Sequence, residues 1–232
     1  MVMSITKVRN HAPTNNGQCT WHFSQAKDPV RSIIGSHPDS RNGICAMISA
    51  QWLAAAKRAT VGAHLPNVPQ QLSARMGGAR QNLDAAQIGN IAAQHALASG
   101  ANQDQESNID KWMRGNGLAY LHRSLLGSGA PGGHFQKGDL LTEIQNRLIG
   151  PNPVYAYISF SGRFTGMGAQ GHVVAGIFNG PVIRFFDSNY GEFTFPTFAD
   201  FSNFFRWYFK KARYGSSMFG NMQERGYILF FS

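Results

Sequence analysis

The chain has little cysteine: two residues in 232, Cys19 and Cys45. A protein of this length with two thiols is not a disulfide scaffold. It has no run of 18 apolar residues, so the sequence pattern contains no membrane-spanning helix. The first twenty residues include basic side chains but no apolar stretch after them, and no Sec-type signal peptide is expected there. Acidic residues are scarce, 12 against 21 Lys+Arg, leaving a net charge of +9. The densest basic cluster is Arg206, Lys210, Lys211 and Arg213. It reads as a solvated helix end, with a dedicated anionic-surface site as the alternative. None of the usual nucleic-acid recognition modules occurs, so no nucleic-acid partner is expected.

What is present suits one globular domain. The hydrophobic fraction is 43% and there are 17 phenylalanines, enough to build a core at this length. Residues 1–40 are rich in Asn, Ser, His and Pro without a sustained period. They read as a tail or loosely packed lead-in, a secretion signal or a processed segment, ahead of a domain over 41–232. From Gly43 the texture changes. The run ICAMISAQWLAAAKRAT places Ile44, Ile48, Trp52 and Ala56 four apart, one buried stripe of a helix. Further helices are expected over about 83–100, 106–114 and 139–148, with a loop at 128–133.

After Pro153 the period switches to strands. Val154 to Phe160 precedes a Gly-rich loop, then His172 to Phe178, an Asn179-Gly180 turn, and Val182 to Asp187. A short strand over 192–195 leads to a helix over 197–211 with Phe201, Phe204, Phe205 and Tyr208 inward, and 227–231 closes the chain as a strand. Helices first and an antiparallel sheet second make an α+β fold.

Three residues carry chemistry. Cys45 falls in the first turn of the helix after Gly43, where unpaired backbone N–H groups and the helix dipole favour a thiolate. The Cys45 N–H could also donate to a developing oxyanion. Taken alone, Cys45 reads more readily as a small buried hydrophobe, since buried cysteine is common. His172 opens an apolar strand after a Gly-rich loop, and Asp187 ends the next strand before a turn. If the Asn179-Gly180 turn joins antiparallel strands, His172 and Asp187 are equidistant from its centre and lie side by side. There the carboxylate could hold the imidazole Nδ1–H. The expected roles are nucleophile for Cys45, general base for His172 and orienting acid for Asp187.

Three blocks resemble a known family. They are Gly43-Ile44-Cys45-Ala46-Met47-Ile48-Ser49-Ala50-Gln51-Trp52-Leu53, then Gly171-His172-Val173-Val174-Ala175-Gly176, then Phe185-Phe186-Asp187-Ser188-Asn189-Tyr190-Gly191-Glu192-Phe193. They look like the catalytic blocks of the YopT/AvrPphB-type cysteine proteases, effectors that bacteria deliver into host cells. Ser188 stands where a proline is expected. The resemblance implies a papain-like fold, hydrolysis through a thioester, neither metal nor cofactor, and a host protein as substrate. Membrane-associated GTPases and kinases are the substrate classes it suggests, in the host cytosol or at the inner face of the plasma membrane.

Papain-like enzymes also place an amide side chain a few residues before the cysteine. Six before Cys45 is Asp39, which cannot donate when ionised. Ser40 and Asn42 are the oxyanion-hole candidates, with capping of the helix as the alternative role for Asn42. A net charge of +9 repels a polybasic GTPase tail but suits an anionic membrane surface. Gly17-Gln18-Cys19 is a candidate for exposing an acylatable glycine, yet Trp21 stands where such a site wants Ser or Thr, and an ordinary segment is the expectation. Two rivals remain: glutamine deamidase or transglutaminase chemistry on the same three groups, and a non-enzymatic basic binding protein.

Overall fold

The structure, a computed structural model, describes residues 4–36, 44–60, 85–98, 105–126, 137–164, 168–212, 214 and 220–232. The helices are α1 (Ile5–His11), α2 (Val30–Gly35), α3 (Cys45–Thr60), α4 (Ala85–Ala98), α5 (Gln105–Gly115), α6 (Lys137–Gln145) and α7 (Phe198–Lys211). The strands are β1 (Gln18–Trp21), β2 (Tyr120–Leu126), β3 (Val154–Phe164), β4 (Gly168–Phe178), β5 (Ile183–Asp187), β6 (Gly191–Phe195) and β7 (Gly220–Phe231). They form one antiparallel sheet in the order β1-β6-β5-β4-β3-β7-β2. Among the described residues no helix is long and apolar enough to cross a membrane.

Alternation along the strands sends successive side chains to opposite faces, and both faces are covered. On one face Tyr155, Tyr157, Val173, Ala175 and Phe186 pack with α3, α4 and α5. On the other Ala156, Ile158, Phe160, Val174 and Phe185 pack with α1, α6 and α7. Helix α7 is built largely from aromatic residues, mediocre helix formers that each give up as much as ~0.7 kcal/mol relative to alanine. Burial decides the outcome. Phe201, Phe204, Phe205, Tyr208 and Phe209 are all inside, and each gains roughly 1.5–3 kcal/mol from leaving water. Thr197 caps the helix by accepting from the Asp200 N–H at 3.2 Å. Arg206, Lys210 and Lys211 of the basic cluster lie on its exposed side, and Arg213 lies outside the described residues.

The helices and strands expected from Gly43 onward are present within a few residues, except that the closing strand begins at Gly220 rather than 227; β2 is additional to those expected, and the loop at 128–133 lies outside the described residues. Two expectations are corrected. The Gly-rich stretch after Phe160 is largely strand, since β3 and β4 pair from Val154↔Phe178 out to Phe164↔Gly168. The lead-in is not loose where it is described. Residues 4–36 supply α1, α2 and the edge strand β1, paired to β6, with Trp21 and Phe23 buried. Alternating polar and small residues hid β1, because its burial comes from β6 and from the rings stacked beneath it. Gly17 leads directly into β1, and a Cβ there would meet the Phe195 ring at 2.3 Å. The Gly17-Cys19 segment is therefore part of the packed body.

Helix α3 is fixed to the sheet by stacked rings and a buried carboxylate. Phe186 lies between Trp21 and Trp52, with centroids 5.6 and 5.5 Å away and planes within 15° and 14°. Trp52 Nε1 donates to Glu192 Oε2 at 2.8 Å, and Thr20 Oγ1 donates to Glu192 Oε1 at 3.0 Å. Burial pushes the Glu192 carboxyl up from its ordinary value. Trp52→Phe removes one of its donors along with ring volume. The expected cost is about 2–4 kcal/mol, read as a lower urea midpoint, and a loss below about 1 kcal/mol would contradict this account.

Candidate active site

The sheet has a step where two strands end unequally. Asp187, the last residue of β5, pairs with Val174, while β4 continues back to Gly168 alongside β3 alone. His172 stands on this overhang, opposite Phe160. Helix α3 begins against the same step. Ser49, one turn into the helix, donates from Oγ to the Val173 carbonyl at 3.4 Å. Cys45 is half-buried and lies close enough to His172 for its sulfur to favour charge on the ring. The structure thus brings together the three residues expected to act together.

His172 Nε2 lies 2.9 Å from Asp187 Oδ1, with the two side chains 6% and 0% exposed. The detail differs from expectation. The turn spans four residues rather than two, so Asp187 faces Val174 and is a diagonal neighbour of His172. From there the carboxylate reaches the far ring nitrogen, Nε2, rather than Nδ1. Nδ1 is the nitrogen that the carboxylate leaves open.

A buried carboxylate is costly unless its oxygens are satisfied, and Asp187 is surrounded by donors. Oδ1 also accepts from the Asn189 N–H at 2.6 Å. Oδ2 accepts from the Tyr208 hydroxyl and from the Tyr214 hydroxyl, the latter at 2.9 Å. Tyr214 also stacks on the imidazole, with centroids 4.8 Å apart and planes within 20°, while Phe160 meets it edge-on at 5.7 Å. The turn after the acid explains its sequence. The Tyr190 N–H donates to the Asp187 carbonyl at 3.0 Å. Gly191 has φ +114, and an added Cβ would lie 2.1 Å from the Trp21 carbonyl, so only glycine fits. Ser188 in the proline position is fully buried.

Electrostatics follow from this enclosure. Burial works against charge on His172, but the adjacent Asp187 carboxylate and the Cys45 sulfur more than offset it, raising the ring to about 10 from 6.5. For Asp187 burial likewise opposes ionisation. The imidazolium, the Tyr208 hydroxyl and the Asn189 N–H outweigh it and hold the carboxyl below its ordinary 3.8. By contrast, burial pushes the Cys19 thiol up to about 11 despite the nearby Arg9.

Sequence reasoning missed four residues here. Tyr208 was assigned to the inner face of α7, where its hydroxyl went unnoticed. Asn189 stands in the block quoted around Asp187, but with no role assigned to it; Tyr214 and Gln25 carry no periodic or local signal. Ser40 and Asn42, the oxyanion-hole candidates, lie outside the described residues.

Comparison with known proteins gives these groups a context. Residues 9–223 match the peptidase C58 family, described as Yersinia/Haemophilus virulence surface antigen. The chain belongs to this family. It is 24% identical over 225 residues to the protein adenylyltransferase and cysteine protease IbpA of Histophilus somni, covering 95% of this chain and 5% of that one. It is also 24% identical over 209 residues to cysteine protease yopT1 of Yersinia enterocolitica, covering 87% and 60%. The chain therefore spans less than two thirds of these relatives. Among solved structures, the Pseudomonas avirulence protein AvrPphB superposes with a TM-score of 0.50 at 15% identity, over 84% of this chain and 94% of that one. That likeness supports the papain-like α+β fold.

The buried pair makes stability depend on pH in a definite direction. The His172 contribution is fully present below 6.5 and is lost as the pH rises through about 10. The Asp187 contribution is present above 3.8 and is lost as the pH falls through its lower folded value. The thermal midpoint of the wild type should therefore decline between pH 6.5 and 10, and Asp187→Asn should flatten that decline. Parallel curves for the two proteins would show that the pair carries no charge.

Proposed function

We propose that this protein is a cysteine endopeptidase in which Cys45 is the nucleophile, His172 its proton acceptor and donor, and Asp187 the group that orients and charges the imidazole. The observation that carries the reading is the arrangement at the strand step: a half-buried thiol at a helix start, against an imidazole whose opposite nitrogen meets a fully buried carboxylate at 2.9 Å.

With the ring favouring protonation, the thiol proton resides on His172 and the sulfur attacks as thiolate. It adds to the carbonyl carbon of the scissile peptide. The resulting oxyanion develops beside the N–H groups of the first turn of α3. His172 returns its proton to the departing amine as the C–N bond breaks, leaving a thioester. It then accepts a proton from the attacking water, and as the second tetrahedral intermediate collapses the C–S bond breaks. This frees the acid and regenerates the sulfur–imidazolium pair.

Membership in a family described by virulence, and likeness to a protein titled an avirulence protein, favour a bacterial effector acting on a host protein inside the host cell. The +9 charge favours a target held at an anionic membrane face over one that presents a polybasic tail. Within the substrate classes suggested above, this argues for a membrane-associated protein.

The test is terminal-peptide mass spectrometry of host lysate treated with wild type and with Cys45→Ala. New peptide termini should appear only with wild type, and His172→Ala and Asp187→Ala should reduce their yield at least 100-fold with the fold retained. Release of ammonia from glutamine without new termini would transfer the same three groups to deamidase chemistry. Undiminished cleavage by His172→Ala would remove that residue from the mechanism.

A further inference from the structure

The loop between β1 and α2 carries Gln25, whose backbone and side chain reach both halves of the site. Its N–H donates to the Ser188 carbonyl at 2.7 Å. Its Oε1 accepts from the Ile44 N–H at 2.9 Å, the backbone donor immediately before Cys45. Its Nε2 donates to Asn189 Oδ1 at 3.1 Å. Asn189 in turn donates through Nδ2 to the Tyr214 hydroxyl at 3.1 Å, and through its own backbone N–H to Asp187 Oδ1. A hydrogen-bonded line thus runs from the first turn of the nucleophile's helix to both oxygens of the acid's carboxylate.

We infer that Gln25 is a positioning residue that fixes the separation of Cys45 from His172 by tying the start of α3 to the turn that carries Asp187. This rests on the assignment of Cys45 as nucleophile. The physical reason is that the two halves belong to different layers. Cys45 moves with α3, while His172 and Asp187 move with the sheet and α7. Apart from apolar packing, the hydrogen bonds described between them near the sulfur are that of the Ser49 hydroxyl to the Val173 carbonyl and the Gln25 bridge. The hydroxyl bond is long at 3.4 Å, whereas the two side-chain bonds of Gln25 are shorter and straddle the gap. A thiolate–imidazolium pair gains from a fixed short separation and loses steeply when the partners drift. Gln25 Oε1 also satisfies the Ile44 N–H, which would otherwise need a water as its acceptor.

The test uses the full chain and iodoacetamide, so that it needs no peptide substrate. Alkylation rates of Cys45 and Cys19 are followed separately by peptide mass spectrometry between pH 5 and 8, with the thermal midpoint measured alongside. In the wild type at pH 6, Cys45 should react at least tenfold faster than Cys19, whose thiol is held near 11. In Gln25→Ala the rate at Cys45 should fall about tenfold at pH 6 and recover towards pH 8, while Cys19 stays within twofold. Gln25→Met keeps the length and removes both side-chain hydrogen bonds, and the same displacement of the Cys45 profile is expected from it. This variant decides the matter where the alanine form does not fold. An unshifted Cys45 profile in folded Gln25→Met, with wild-type Cys45 still fast, would overturn the positioning role and leave the protease reading standing. Equal labelling of the two cysteines in the wild type would overturn both.

Discussion

The structure turns on satisfying one buried charge. Asp187 is fully enclosed, and an ionised carboxylate without partners would not be tolerated there. Its four donors come from β4, from the turn after β5, from α7 and from the residue described just beyond α7. Each donor imposes a condition. Helix α7 must lie on this face with Tyr208 inward, the β4–β5 turn must set His172 one diagonal from the acid, and the turn must fold back so that the Asn189 N–H faces the carboxylate. The aromatic packing of α7 and the length of the turn are the means by which those conditions are met together.

Much of this could be read from residue order. The stripe from Ile44 to Ala56, the strands around Asn179-Gly180 and the aromatic face of α7 each repeat at the period of their element, and repetition is what a linear reading detects. Cys45 and Asp187 are legible because each sits at an element boundary; His172 lies inside β4, but where that strand runs past the end of β5 and a side chain can face a cleft. The register was misjudged by one pair because Pro181 and Val182 lengthen the turn, and a proline cannot supply a ladder N–H. That shift changed which imidazole nitrogen meets the acid without separating the two groups.

What escaped the reading was long-range and aperiodic. Gln25 and Tyr214 act through single side-chain hydrogen bonds to partners far along the chain, and nothing near them in sequence marks this. The first forty residues looked like a tail because β1 has four residues and one fully buried side chain, too little to show alternation. Its stability comes from β6 and from the ring stack of Trp21 on Phe186. Arg9 of α1 adds hydrogen bonds to the carbonyls of Tyr190 and Phe23, so this early segment buttresses the same turn that holds the acid.

The distribution of these groups along the polypeptide has a kinetic consequence. Residues 25, 45, 172, 187, 189, 208 and 214 meet in one place: the contacts onto Asp187 from His172, Tyr208 and Tyr214 span 15, 21 and 27 positions, whereas that of Gln25 with Asn189 spans 164. Such a site joins a short-range hairpin pairing to contacts of high order. It cannot be assembled by any one hairpin or helix pair, and it comes into being only when the whole sheet has closed. A nascent or partly unfolded chain therefore lacks the meeting of sulfur, imidazole and carboxylate, which arrives only with closure of the sheet.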